Sequence, residues 1–305
     1  MFELVFLGTS ASAPSPRRNL PALVVKHDEH RFLIDCGEGT QRQILQSGIG
    51  FKRLNRILIT HGHLDHILGL AGLLSTFMRW ETIENLQLYG GKSALERIKD
   101  LLYGVVLRGM QPPMPLEFHA LKKGTFIEEA DFSIYAFPVK HRGSDSFGFV
   151  FEEQGRRPFL PEKAEALGVP AGPLRRLLVA GENIQLADGS LVRAEDVLGD
   201  FRPGTKLAVI GDLGDTTGLE EYIGGADALV IEATYLEEEV DMAKQYAHLT
   251  ARMSAELAQR AGVKQLILTH VSRRYRDKDI LAEAQAVFAN TLLAHDFDEI
   301  QVKRE

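Results

Sequence analysis

Thr60–His61–Gly62–His63–Leu64–Asp65–His66 places three imidazoles and one carboxylate within six residues. The run Arg56–Ile57–Leu58–Ile59–Thr60 ahead of it has the unbroken apolar, β-branched character of a buried strand. After it, Ile67, Leu68, Leu70, Leu73, Leu74 and Phe77 recur at helical spacing. The polar cluster therefore sits on a strand-to-helix turn. His61 and His63, two apart on extended backbone, point the same way, whereas Asp65 and His66 lie on the turn into the helix. Imidazole nitrogens with a carboxylate suit zinc, and this spacing leaves room for a second ion beside the first.

An open cluster needs further ligands, and other strand ends supply them. Phe132–Val139 reads as a strand closing on His141, and Lys206–Ile210 as a buried strand delivering Gly211–Asp212. A carboxylate that bridges two ions belongs at Asp212. Ala228–Ile231 delivers Glu232, a carboxylate that needs a partner or an opening to solvent. His248 precedes a helix whose N-cap is Thr250. Leu266–Ile267–Leu268–Thr269–His270 repeats the pattern of Ile57–Leu58–Ile59–Thr60–His61, which suggests two halves of similar construction packed face to face. Asp35, at the end of the strand Arg31–Asp35, is placed to accept a hydrogen bond from a ligand histidine. His27 and His30, in the hairpin turn before that strand, are expected in solvent.

The chain has 305 residues, 45% hydrophobic and 25% charged, which is ordinary for a globular α/β protein. Its 35 basic and 42 acidic residues give a net charge of −7, so bulk attraction for polyanions is excluded and only local basic patches remain. Cys36 is the single cysteine, so no internal disulfide forms, and no signal peptide or membrane span is read. The expected location is the cytoplasm. Residues 155–202 differ in texture: paired arginines, Gly168–Val169–Pro170 and Gly172–Pro173, and a hairpin at Asp188–Gly189. This stretch reads as an insertion, dividing the main domain into residues 1–154 and 203–305.

The turn at residues 60–66 resembles the HxHxDH signature of the metallo-β-lactamase superfamily. Within it, Gly8–Thr9–Ser10, Asp35–Cys36–Gly37–Glu38–Gly39–Thr40–Gln41, Pro138–Val139–Lys140–His141, Glu232–Ala233–Thr234, Ala247–His248–Leu249–Thr250 and Thr269–His270–Val271–Ser272–Arg273–Arg274–Tyr275 are similar to the ribonuclease Z family of tRNA 3′ endonucleases. That resemblance implies an αββα sandwich of two facing mixed β-sheets with outer helices. It also implies two Zn2+ ions per subunit, with Mn2+ or another divalent ion as alternatives. His61, His63 and His141 would hold one ion and Asp65, His66 and His270 the other, with Asp212 between them. The activity implied is removal of the 3′ trailer of precursor tRNA by metal-hydroxide attack, leaving a 3′-hydroxyl on the tRNA and a 5′-phosphate on the trailer. Asp65 would aim the attacking oxygen, His248 would protonate the leaving oxygen, and Glu232 would orient His248.

By the same resemblance, residues 155–202 form a tRNA-binding arm that, in a homodimer, serves the active site of the other subunit. Arg17, Arg18, Gly172, Pro173, Arg175, Arg176 and Arg274 are the expected substrate contacts. The chain departs from the family pattern at Pro16, where a lysine is usual, at Leu213, where a threonine is common, and at Ile231, where a histidine is common. Two other readings keep parts of this picture: a general phosphodiesterase or small-ester hydrolase of the same fold, and a non-catalytic RNA-binding protein on a decayed hydrolase fold. Seven intact ligands argue against the last, because so many buried polar groups are costly without a use.

Overall fold

The computed structural model describes residues 1–80, 83–143 and 145–304. Backbone contacts divide the chain into two units, residues 1–152 with 206–305, and residues 153–205. The larger unit holds two seven-stranded sheets. In the first, the spatial order is Glu299–Val302, Phe2–Gly8, Ala22–His27, His30–Ile34, Arg56–Leu58, Leu86–Gly90, Leu116–Ala120. The second runs Thr291–Leu293, Leu266–Thr269, Ala228–Glu232, Lys206–Val209, Ser146–Glu153, Phe132–Val139, Gly124–Glu128. Both are mixed, with a parallel block beside antiparallel hairpins.

Alternation along the strands sorts side chains into layers. Leu4, Phe6, Phe32 and Leu58 of the first sheet meet Phe132, Phe149, Phe151 and Val230 of the second in one buried cluster between the sheets. Val5, Leu33, Ile57 and Ile59 face the other way, onto Leu70, Leu73, Leu74 and Phe77 of the helix Gly69–Trp80 and Ile98 of Lys92–Lys99. Ala208, Leu229, Ile231 and Leu268 do the same against Ala255 and Ala258 of the helix Ala251–Ala261. Helix, sheet, sheet, helix follows from that two-sided burial, because the central strands of the parallel blocks are apolar on both faces. Ile231 is fully buried in this outer core, so the departure there is a packing residue.

The parallel strands of both sheets run toward the same rim. Arg56–Leu58 ends just before His61 and His30–Ile34 before Asp35; in the second sheet Lys206–Val209, Ala228–Glu232 and Leu266–Thr269 deliver Asp212, Glu232 and His270. Gly211 permits the close approach this requires, since a Cβ there would lie 2.8 Å from Thr60 Oγ1. Among the described residues, no helix is long and apolar enough to cross a membrane.

The smaller unit has its own core of Ala164, Val169, Leu178, Ile184, Val192, Ala194, Val197 and Leu198. Its helices Pro161–Ala166 and Pro173–Val179 each begin at proline, and the two-residue strands Ile184–Gln185 and Leu191–Val192 pair antiparallel.

One expectation is corrected in the larger unit. His27 is 4% exposed rather than solvated: its ring lies between Phe2 and Phe132, with centroids at 4.9 and 4.7 Å. Burial, then the positive amino terminus, lower its pKa. The helix Lys92–Lys99 continues into a π-helical stretch at Asp100–Leu107.

Candidate active site

All seven expected ligands meet at the rim. Asp212, 2% exposed, lies at their centre: its Oδ2 is 3.7 Å from His61 Nε2, 3.4 Å from His66 Nε2 and 3.9 Å from His141 Nε2. Its Oδ1 is 3.3 Å from His270 Nε2. Asp65 Oδ2 is 3.7 Å from both His66 Nε2 and His270 Nε2, and His141 Nε2 is 3.2 Å from His63 Nδ1. Three overlapping groups suited to an ion result among the described residues at this rim: His61, His63, His141 with Asp212; Asp65, His66, His270; and Asp212, His248, His270, and the first two are the expected ones.

The hydrogen bonds behind the rings fix which nitrogen faces inward. Thr60 Oγ1 donates to Asp35 Oδ2 at 2.7 Å, so it accepts from His61 Nδ1 at 3.0 Å. His66 Nδ1 donates to Asp35 Oδ2 at 2.7 Å, and His141 Nδ1 to the Ala247 carbonyl at 2.8 Å. Thr234 Oγ1 donates to Glu232 Oε2 and so accepts from His270 Nδ1 at 2.9 Å. In each of these four rings the Nδ1 proton is used behind, and Nε2 points into the site.

Three of these four nitrogens have nothing to bind among the described residues. Nε2 of His61, His66 and His270 and Oδ1 of Asp212 are buried with no hydrogen-bond partner among the described residues. Each such atom costs about 1–3 kcal/mol, and here they converge on one volume. Imidazole nitrogens and carboxylate oxygens at 3.3–3.9 Å from one another fit divalent cations of the zinc type.

The electrostatics divide this donor set. Burial, reinforced by the neighbouring His66 charge, holds His61 well below the usual imidazole range, in the neutral form that can ligate, whereas at His66 the carboxylates of Asp212 and Asp35 outweigh burial and hold the ring well above that range, so an ion would have to displace its proton. Burial alone would raise the carboxyls of Asp212 and Asp65. The histidines around them outweigh it, chiefly His270 and His66, and hold both well below the carboxylate range.

Four of the nine non-glycine residues with left-handed backbone among the described residues lie at the same place. Asp35, Ala247 and His270 have φ of 57°, 52° and 51°, left-handed conformations that a side chain disfavours, and Ser12 joins them at 58°.

Beside the ligands, His248 and Glu232 form a buried pair. His248 Nδ1 lies 3.1 Å from both oxygens of Glu232, which is fully buried and also accepts from the Leu213 amide at 2.8 Å. The donor to Glu232 at this point is backbone, so Leu213 supplies it whatever its side chain. Burial would lower the His248 pKa, but Glu232, through charge and hydrogen bond, pushes it up to about 9. At neutral pH the ring is an imidazolium whose Nε2–H faces away from Glu232.

The expected substrate contacts divide. Arg17 and Arg274 line one groove of about 810 Å³ together with Arg273, Arg276 and Lys278. Arg274 Nη1 is 3.3 Å from Glu239. Arg18 is not a free phosphate contact: it is 7% exposed, and its Nη1 donates to Thr9 Oγ1 at 2.7 Å and the Ala294 carbonyl at 2.6 Å, while Nη2 pairs with Asp277 at 3.0 Å. It is a buried strut for the loop that carries Arg17. In the smaller unit Gly172 and Pro173 open the helix Pro173–Val179. Arg175 Nη2 donates to the Val169 carbonyl at 2.9 Å, while Arg176 is exposed. Sequence reading gave no role to Thr234 or to the Ala247 carbonyl, which hold His270 and His141. The usable signal for Thr234 was its place two residues after Glu232.

Comparison with known proteins settles the family. A ribonuclease Z of Bradyrhizobium diazoefficiens is 50% identical over 302 residues, covering 99% of this chain and all of that protein. The chain belongs to the ribonuclease Z family. A member of that family from Archaeoglobus fulgidus is 39% identical over 307 residues, covering 99% of this chain and 98% of the relative. The crystal structure of the human tRNase Z, short form, superposes with a TM-score of 0.70 at 26% identity, over 99% of this chain and 100% of that one. A Bacillus subtilis protein described as having the metallo-β-lactamase fold also gives 0.70, at 15% identity over 98% of each chain, and this fold is the one observed here. Residues 2–159 match the family model described as Anti-Pycsar protein Apyc1, so this half of the chain belongs to that family as well.

Proposed function

We propose that this ribonuclease Z family member is a metal-dependent endoribonuclease that removes the 3′ trailer of precursor tRNA, leaving a 3′-hydroxyl on the tRNA and a 5′-phosphate on the trailer. The observation that carries the reading is the set of inward Nε2 atoms around Asp212, with a separate ring, His248, paired to Glu232 beside them. His61, His63 and His141 would hold one divalent ion, Asp65, His66 and His270 a second, and Asp212 would serve both, zinc being the ion this donor set suits best. Bound there, two such ions supply a water of lowered pKa and positive charge against the phosphate.

The chain's own residues do the rest. Asp65 can accept a hydrogen bond from the attacking water and so aim it. His248, held by Glu232 with its Nδ1 proton directed backward, offers its Nε2 proton to the departing 3′ oxygen. Glu232 stabilises the charged ring that serves as donor. Arg17, Arg274 and their groove neighbours give a local cationic surface on a chain of net charge −7. The smaller unit would grip the tRNA body, with Arg176 and the exposed Leu177 and Val179 as its free surface. In this reading the protein is a homodimer in which each arm serves the partner's active site, and it works in the cytoplasm, where its substrate is.

The test is incubation of the ion-loaded protein with a 3′-extended precursor tRNA, with and without CCA, and mapping of the cut. One cut after the acceptor stem, with a 3′-hydroxyl upstream, is expected. Turnover of a small aryl phosphodiester with no cut in the tRNA contradicts the proposal.

A further inference from the structure

One loop touches one residue of the second ion group, Asp65, and the residue that follows another, His270. Residues 9–13 leave the first strand and cross to the second sheet: the Val271 amide donates to the Thr9 carbonyl at 3.0 Å, and the Ala11 amide returns the bond to the Val271 carbonyl at 3.0 Å. Val271 directly follows His270. One residue on, the Ser12 amide donates to Asp65 Oδ2 at 3.1 Å. That oxygen is the one facing His66 Nε2 and His270 Nε2, each at 3.7 Å.

The loop is built rigidly for this. Ser10 donates its amide to the Asn19 carbonyl at 2.8 Å and its hydroxyl to the Ala13 carbonyl at 2.7 Å. Arg18 and Asp296 clamp Thr9, through Arg18 Nη1 at 2.7 Å and Asp296 Oδ1 at 2.8 Å. Ser12 itself, with φ of 58°, carries a backbone conformation that its Cβ disfavours, at the residue whose amide reaches a ligand. The exposed Ser12 side chain has no comparable contact with the site among the described residues.

We propose that Ser12 is a positioning residue: its backbone N–H fixes the Asp65 carboxylate so that one lone pair of Oδ2 is held by the amide and the other is aimed at the ion shared with His66 and His270. The inference rests on the reading that these three residues hold an ion. A freely rotating Asp65 would have to be ordered on binding, and the loop removes that cost beforehand. Because the donor is backbone, the side chain at position 12 is irrelevant and the amide is not.

The experiment replaces that amide alone. Ser12→Ala keeps the N–H, and incorporating the α-hydroxy acid equivalent of alanine at the same position turns the peptide bond into an ester that lacks it. Ion affinity is measured by chelator competition with Zn2+, and ligand geometry by the visible spectrum of the Co2+-substituted protein. Ser12→Ala and Ser12→Gly should stay within about twofold of the parent, while the ester should lose about tenfold to a hundredfold in affinity at the weaker of two ions and shift the Co2+ bands. An ester equal to Ser12→Ala in both readouts overturns the proposal, as does an equal loss in Ser12→Ala, which would assign the contact to the hydroxyl. If the parent protein binds no second ion, the ion reading itself fails, an outcome distinct from either.

Discussion

Ile57–Leu58–Ile59–Thr60–His61 and Leu266–Ile267–Leu268–Thr269–His270 are near-copies in sequence, and both end a strand at the rim, yet they hold their histidines by different means. In the first, the anchor is local. Thr60 gives its amide and hydroxyl to Asp35 at 2.8 and 2.7 Å and accepts from His61, and the same Asp35 also takes the His66 proton. In the second, Thr269 makes no comparable side-chain bond among the described residues. The left-handed backbone at His270 brings its ring instead to Thr234 on the adjoining segment, whose hydroxyl is chained to Glu232. Glu232 also holds His248. One half therefore uses its buried carboxylate to hold two rim histidines, while the other ties a rim histidine to His248, the proton donor proposed above.

The comparison is broken most severely by His248→Ala or Glu232→Gln. Each should lower kcat on precursor tRNA by roughly 10²–10⁴-fold while metal content by elemental analysis is unchanged. A loss of ions in Glu232→Gln would show that the second half is purely structural. Asp35→Asn should do the opposite. Ion affinity should fall by about tenfold to a hundredfold, and turnover should recover when excess Zn2+ or Mn2+ is supplied.

Smaller effects sharpen the contrast. Thr60→Val strips one partner each from Asp35 and His61 and should cost about 1–3 kcal/mol in denaturant unfolding, with kcat at saturating ion little altered. Thr234→Val should cost a similar amount but also reduce kcat at saturating ion, because Glu232 loses a donor. Thr269→Val, the control, should stay within about 0.5 kcal/mol and leave ion affinity as it was.

The meeting of these seven residues at one rim was legible because their signal is local. A histidine or carboxylate closing an apolar strand has few places to go but the sheet's rim, and the cluster at residues 60–66 marks which rim. Asp35 was legible for the same reason, as a strand end in register beside that turn. Arg18 was not. A loop arginine next to Arg17 looks solvated until the helix Asp277–Gln285 and the end of the strand Thr291–Leu293 bring Asp277 and Ala294 against it, and such long-range closure leaves no trace in spacing. His27 failed likewise: its turn is polar on both sides, and only the packing of Phe132 from the other sheet buries it. The amide of Ser12 was invisible in principle, since backbone donors have no residue type.

Central to the account is the claim that one carboxylate, Asp212, joins two ion sites built by two halves of the chain. Anomalous diffraction from crystals of the zinc-loaded protein tests it directly. Two peaks on either side of the Asp212 carboxylate are expected, one within bonding distance of His61, His63 and His141 and one of Asp65, His66 and His270. A single peak, or two that share no contact with Asp212, contradicts it.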